Sequence, residues 1–417
     1  MNIGNKLISI LLYVYILFQP ILPSKYKIGK IPFNGDLILA LIILVYIFSI
    51  IVFSSSRKRF IDGIKDFFKS YISIFIFALI LIMFMSISYA ADKKVALSET
   101  VRFSTYIILF FIIKYELNSR RIVDMILKLY IFTISVVGVI GLFEGIVGIG
   151  FIQRSQHGIR DRVMSTMENS NNLGAVMVIA IFPVVMLALN ERNRRRKVIF
   201  SFLALLFLVN IVISFSRNAW LGFVIGCLML ALTYNWKIIL TLAGLGGISI
   251  FVPAISNRLA EFTDASQNLS RIKLWDIAIF MIKDHPIRGV GNGNYRVLYD
   301  KYKLLLKKKI EYYPSNNFHP HNILLKIQSE LGIFGTFTFV GVMIFIVLRI
   351  IKFNKNIKDK FYTPFFKGFL ASLIAFISMN CIDNFFSAPK VIAFFWILIA
   401  CSEAVLYRQK PGGGLYY

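Results

Sequence analysis

With 57% hydrophobic residues in a 417-residue chain that includes 40 phenylalanines, this protein is too apolar to be an ordinary soluble globule and reads as a polytopic membrane protein. Lysines and arginines outnumber acidic residues 47 to 21, for a net charge of +26. They cluster between apolar runs and not along one soluble face, so the charge reports membrane topology and argues against a nucleic-acid partner.

An apolar run of about 18 residues or more can cross a hydrocarbon core of roughly 30 Å as a helix. Such runs are expected at residues 4–23, 36–55, 71–91, 98–115, 122–147, 171–190, 198–215, 217–235, 237–256, 320–350, 363–385 and 388–407. The fold class is therefore an all-α polytopic membrane protein of about twelve transmembrane helices by that length rule. The first run follows Lys6, but its exit "QPILPSKYK" offers no small-residue cleavage site, so it is expected to remain as a helix. The domains expected are residues 1–256 with spans one to nine, a helical outer loop at 257–319, residues 320–407 with spans ten to twelve, and a flexible tail at 408–417 carrying "KPGGGLYY". Cys227, Cys381 and Cys401 all fall in expected spans without motif spacing and behave as small apolar residues, with no disulfide framework or zinc site.

Basic clusters at "SSRKRF", "YELNSRR", "NERNRRRK" and "RIIKFNKNIKDK" occupy alternate connections. The positive-inside rule puts them, and both termini, in the cytoplasm, and the connections at 148–170, 215–218 and 257–319 outside. Within 257–319 a helical period places Ile272, Trp275, Ile279 and Ile282 on one stripe, followed by the turn "RGVGNGNY" and a second amphipathic helix. The glycines Gly289, Gly291 and Gly293 make a poor phosphate loop, because no strand precedes them and no Gly-Lys-Ser/Thr follows.

Four polar motifs share the outer face: "RDRVMSTMENSNNLG" from Arg160, "SFSRNAWLG" around Arg217, "SRIKLW" around Arg271, and "HPHN" at 319–322. Arginines at span ends can simply snorkel to the interface. Arg217, however, has apolar sequence on both sides, and an arginine held there tends to face a polar cavity or an anion, whose oxygens its planar fork matches. "HPHN" holds two of the chain's four histidines, and a histidine, with an ordinary pKa of about 6.5, is suited to general-base work at neutral pH. Alternatively "HPHN" only starts a helix, with Pro320 near its first turn and polar residues satisfying free backbone N–H groups. His157 and His285 read as loop histidines. Glu144 and Asp383 are acids within apolar runs, costly to bury and without an evident partner.

The ordered succession "RVMSTMENSNNLG", "SRNAWLG", "RIKLWDIAIFMIKDHPIRGVGNGNY" and "HPHNILLKIQSELGIFG" resembles the O-antigen ligase and polymerase superfamily of integral-membrane glycosyltransferases over residues 160–335. Ser165 and Ser170 stand where that family commonly has Gly and Pro, and the first three to four spans carry no matching motif. The resemblance implies a GT-C-like enzyme of the bacterial inner membrane, acting on its outer face. Its donor would be an undecaprenyl-pyrophosphate-linked glycan and its acceptor a lipid A core or other glycan hydroxyl, with inversion and with no cofactor or metal. It implies Arg162 and Arg271 as the strongest pyrophosphate-binding candidates, then Arg217 and, more weakly, Arg160. His321 would be the base or acceptor-orienting residue, with His319 as its support. A polymerase passing the glycan to a lipid-linked acceptor uses the same chemistry and stays open beside the ligase. A transporter of lipid-linked saccharide would also need many spans and basic cavities, but would have no need of His321.

Overall fold

The computed structural model describes residues 3–23, 27–28, 31–32, 34–149, 151–155, 158–240, 265–306 and 319–409, with scattered residues between 243 and 256. In chain order the helices are α1 (Ile3–Phe18), α2 (Gly35–Val52), α3 (Ser54–Phe67), α4 (Tyr71–Ser86), α5 (Lys93–Phe111, running into a π-turn at Ile112–Glu116), α6 (Arg120–Val147), α7 (Ser170–Asn190), α8 (Arg194–Ile213) and α9 (Arg217–Thr233). They continue with α10 (Ala265–Asp284), α11 (Tyr295–Leu305), α12 (Ile323–Asn356), α13 (Tyr362–Asn380) and α14 (Pro389–Arg408). Two small antiparallel hairpins interrupt the helical fold: Lys27–Ile28 with Ile31–Pro32, and Phe151–Ser155 with Gly158–Arg162, the latter pairing Phe151 with Arg162.

Among the described residues, eight helices are long and apolar enough to cross a membrane, α2, α5 with its π-turn, α6, α7, α8, α12, α13 and α14, or nine if α3 and α4, bent by 93°, form one broken span. The expectation of about twelve came from the lengths of apolar runs, which overstate helix length. The run at 4–23 stops being helical at Phe18, before Gln19–Pro20, because a proline disfavours helical geometry in its predecessor. That leaves 16 residues, about 24 Å, short of a roughly 30 Å core. α9, with 17 residues, also falls short of the core by length. The expected span at 237–256 lies largely outside the described residues, as does most of the tail from 408.

α7 lies at the centre, packed along α8, α9 and α13. It crosses α13 closely at Gly368, where any Cβ would come within 2.2 Å of the Phe182 carbonyl oxygen. Small residues permit this kind of backbone approach in membranes, where apolar burial gains little over lipid. α14 is buried nearly all round, with Trp396 edge-on to Phe103, Phe110 and Phe395. A helix apolar on every side belongs in the interior. Below it the π-turn rotates Lys114 and Glu116 inward. Lys114 Nζ lies 3.1 Å from Glu403 and 3.5 Å from Asp66, Arg349 also grips Glu403, and Arg59 pairs with Glu116 at 2.7 Å. These charges tolerate burial because they neutralise one another.

α10 and α11 form a small unit with its own core of Leu274, Ile277, Ala278, Met281, Val290, Tyr295, Tyr299 and Tyr302. This corrects the expected stripe, since Ile272 and Ile279 are exposed and the neighbouring face is the buried one. The turn "RGVGNGNY" then docks on α12 at a break in that helix. Gly332 has φ +67°, and the Val290, Gly291 and Ile333 N–H groups donate to Ser329, Glu330 and Pro286 carbonyls. The Gly293 and Tyr295 N–H groups reach the Glu330 carboxylate at 2.9 and 3.4 Å. The glycine turn thus cradles a carboxylate of its own chain, which is what its backbone donors are used for instead of a phosphate.

Candidate functional site

The "HPHN" motif precedes α12. Asn322 is the helix N-cap, its side chain accepting from Leu325 N at 3.1 Å. Capping is therefore done by one residue of the motif and leaves the histidines for other contacts. His321 takes a left-handed backbone, φ +46°, a conformation that costs a non-glycine residue on the order of 1–3 kcal/mol and often marks a functional position. Its N–H donates to His319 Nδ1 at 3.2 Å, and the two rings lie 4.3 Å apart between centroids. Accepting there requires His319 to be unprotonated at Nδ1. Consistently, burial pushes its pKa down to about 3, with His321 and Lys326 adding to the effect and Asp383 opposing it.

The His321 ring turns toward the α13–α14 connection, where Nδ1 lies 2.7 Å from Asp383 Oδ1. Asp383 lies beyond the end of α13 and is 5% exposed. Burial alone would raise its pKa. The His321 hydrogen bond and charge, helped by His319 and Arg271, outweigh burial and hold the carboxyl below its usual range. An ionised carboxylate only accepts, so His321 Nδ1 carries a proton in this contact, and in the neutral imidazole Nε2 then keeps the lone pair. Asp383 also accepts from Asn384 N at 2.9 Å and from Asn171 Nδ2 at 3.2 Å. Asn171 Oδ1 in turn accepts from an Arg162 terminal nitrogen at 3.0 Å, while Arg162 Nε donates to the Ser214 carbonyl at 3.1 Å. A continuous polar chain thus runs from Arg162 through Asn171 and Asp383 to His321.

The other expected residues gather around this chain to different degrees. Arg217 opens α9 directly after the turn at Ser214–Ser216 that Arg162 holds, a turn strained at Phe215 with φ +47°. Arg271, on α10, is near enough to Asp383 to depress its pKa and has no hydrogen bond or ion pair among the described residues. Arg160 is on the second strand of the 151–162 hairpin, and its side chain lies outside the described residues, as does His157. A cavity of about 260 Å³ opens over His319, His321 and Asp383, walled by Asn171, Glu168 and Lys390. Lys390 is buried, bonded to the Thr166 carbonyl at 2.6 Å and paired with Glu168 at 3.1 Å. His319, His321 and Asp383 offer ligand atoms within 4.8 Å of one another, so they are also the described set best placed to take a metal ion.

Glu144 does have partners. Its carboxylate accepts from the Met164 and Ser165 N–H groups and braces the turn that leads into α7. Ser165 there has φ +51°, the left-handed region that explains a family preference for glycine. Ser170 is the first residue of α7, where proline is well suited. Both departures from the family pattern thus occupy the conformations that the commoner residues favour.

Residues 202–340 match the family described as O-Antigen ligase. That segment is similar to O-antigen ligases. It contains Arg217, Arg271, His319 and His321, whereas Arg162, Asn171 and Asp383 join from outside it. The chain is 27% identical over 176 residues to an O-antigen ligase of Salmonella typhimurium, covering 38% of this chain and 41% of that one. It is 25% identical over 240 residues to a Rickettsia conorii protein named "Putative polysaccharide ligase", covering 54% and 58%. A Rickettsia felis protein of the same name is 25% identical over 244 residues, with the same coverage. The chain thus spans about half the length of the curated relatives it matches.

Asp383 and Asn171 are the members of the site that sequence reasoning left without a role. Asp383 stood out as a costly acid in an apolar run, but its partner lies 62 residues away. Asn171 was one of several asparagines at the entry to α7. Lys390 and Glu168 carried no signal.

Proposed function

We propose that the chain is an inverting, metal-independent membrane glycosyltransferase of the O-antigen ligase type, moving a glycan from an undecaprenyl pyrophosphate donor to an acceptor hydroxyl on the outer face of the bacterial inner membrane. The observation that carries this reading is the His321–Asp383 pair at 2.7 Å beneath a cavity with Arg271 nearby. His321 Nε2 takes the acceptor proton as its oxygen attacks the anomeric carbon. The bond from that carbon to the pyrophosphate oxygen breaks, and the carrier leaves with the electron pair. Asp383 holds the tautomer and offsets the imidazolium charge that forms.

Negative charge builds on the pyrophosphate, and Arg271 and Arg217 stabilise it in this scheme, with Arg162 joining them or fixing Asn171. His319 supports the strained backbone of His321. No metal is required in this scheme, because guanidinium groups supply the positive charge and His321 Nδ1 is committed to Asp383. The ligase reading makes a lipid A core or another terminal glycan the acceptor.

The test is to incubate the purified protein with a lipid-linked glycan and two acceptors, one a lipid A core and one a second carrier-linked unit, in the presence of EDTA. Mass spectrometry should find the glycan on the lipid A core. Transfer only to the carrier-linked unit would replace ligase by polymerase. No transfer to either, or dependence on a divalent ion, would overturn the mechanism.

A further inference from the structure

A second, larger opening lies at the other end of the bundle. α7 begins beside Asp383 and ends at Asn190, 21 residues and about 30 Å further along, on the rim of a groove of about 990 Å³. The groove lies where α6, the α7–α8 turn and the α12–α13 connection meet. Its position at the ends of four candidate spans puts it at the level of a membrane interface.

Two features define its chemistry. The rim carries Lys128, Arg192, Arg196, Lys358 and Lys360 against two acids, Glu191 and Asp359. Both acids are already engaged, Asp359 with Arg120 at 2.7 Å and Glu191 with Arg196 at 3.7 Å. Lys128, Arg192, Lys358 and Lys360 have no ion pair among the described residues and are exposed. The floor is apolar, with Ile131, Phe132, Leu187, Ile199, Phe200 and Leu203. Phe132 and Ile199 are 58% and 55% exposed, so the floor continues onto the flank of the bundle that faces hydrocarbon.

We propose that this groove is a binding site for an anionic phospholipid, with the headgroup phosphate on the basic rim and the acyl chains along the apolar floor. Unpaired cations around a cleft between helix ends attract an anionic headgroup, and they also favour it over a zwitterionic one, whose own ammonium they repel. A free phosphate or other soluble anion would satisfy the rim but leave the floor uncovered. A lipid fills both.

Native mass spectrometry of the full chain in a neutral detergent tests the assignment, with titration of phosphatidylglycerol, phosphatidylcholine of the same acyl chains, and glycerol phosphate as a headgroup without chains. Phosphatidylglycerol should bind at least about tenfold more tightly than phosphatidylcholine, with no glycerol phosphate retained at the same concentrations. In the triple variant Arg192→Gln/Lys358→Gln/Lys360→Gln that preference should fall to about twofold or less, whereas Lys58→Gln/Lys65→Gln, exposed cations away from the groove, should keep it. Equal binding of the two lipids, undiminished preference in the triple variant, or equal loss in the double variant would each overturn the proposal. Retention of glycerol phosphate as strong as that of the lipid would make this a soluble-anion site instead.

Discussion

Asp383→Asn keeps the shape of the site while removing its charge and one of its two acceptor ends, which makes it the sharpest probe of how His321 works. The carboxylate accepts at one oxygen from His321 Nδ1 and Asn384 N, and at the other from Asn171 Nδ2. An amide cannot accept at both ends. With its NH₂ toward Asn171 it opposes another donor, because Asn171 Oδ1 is held by Arg162. With its NH₂ toward His321 it moves the ring proton to Nε2 and blocks the base. The lost charge adds to this. At about 4 Å between charge centres, attraction to the imidazolium is ~4 kcal/mol at an effective dielectric of 20 and ~1 kcal/mol in water. The His321 side chain is 31% exposed, which argues for an intermediate value of ~2 kcal/mol, or a loss in rate of about 30-fold. His321→Ala should lose roughly 100- to 10,000-fold, the span of general-base catalysis. Since Asp383 acts through His321, the double variant should be no slower than His321→Ala. The assay is the initial rate of glycan transfer by purified protein, with donor binding measured separately and expected to be near normal. If Asp383→Asn transfers at the parent rate, or costs as much in the His321→Ala background as alone, Asp383 does not work through the imidazole.

Arg271→Lys should lose most activity while donor binding weakens, because an ammonium cannot engage two phosphate oxygens as a fork; full activity would show that a point charge is enough. His319 is held neutral by burial with a pKa of about 3, so the unfolded chain binds more protons as pH drops below about 6.5. Stability from this group is complete above that value and is lost as pH falls toward 3, and thermal melts from pH 7.5 to 4 should decline less steeply in His319→Gln. Gly332→Ala places a Cβ 2.0 Å from the Ile287 carbonyl oxygen at φ +67° and should destabilise by roughly 2 kcal/mol or more, seen as a lower melting temperature; an unchanged melt would mean the "RGVGNGNY" turn does not clamp α12. Cysteines placed at Lys301 and Arg195 test the orientation inferred from basic clusters: an impermeant thiol reagent added outside intact cells should label the first and spare the second, and the reverse pattern would invert the topology.

Local features of this chain were legible in its sequence. Apolar runs announced a helical membrane protein, "HPHN" announced both a helix start and a pair of histidines worth chemical attention, and the order of four motifs pointed to the family that residues 202–340 match. Each depends on neighbours within a few positions, where periodicity and capping act. Tertiary structure decided what such patterns leave free. Run length measures hydrophobicity and not where a helix stops, so Pro20 and the bend between α3 and α4 lowered the number of complete spans. α10 is apolar on more than one face, and period alone could not choose between Ile272 and Leu274. The role of Asp383 was invisible for a deeper reason. Its charge is tolerable only because His321 and Asn171, 62 and 212 positions away, come within hydrogen-bonding distance, and a buried ion's free energy is set by partners in space and not in sequence.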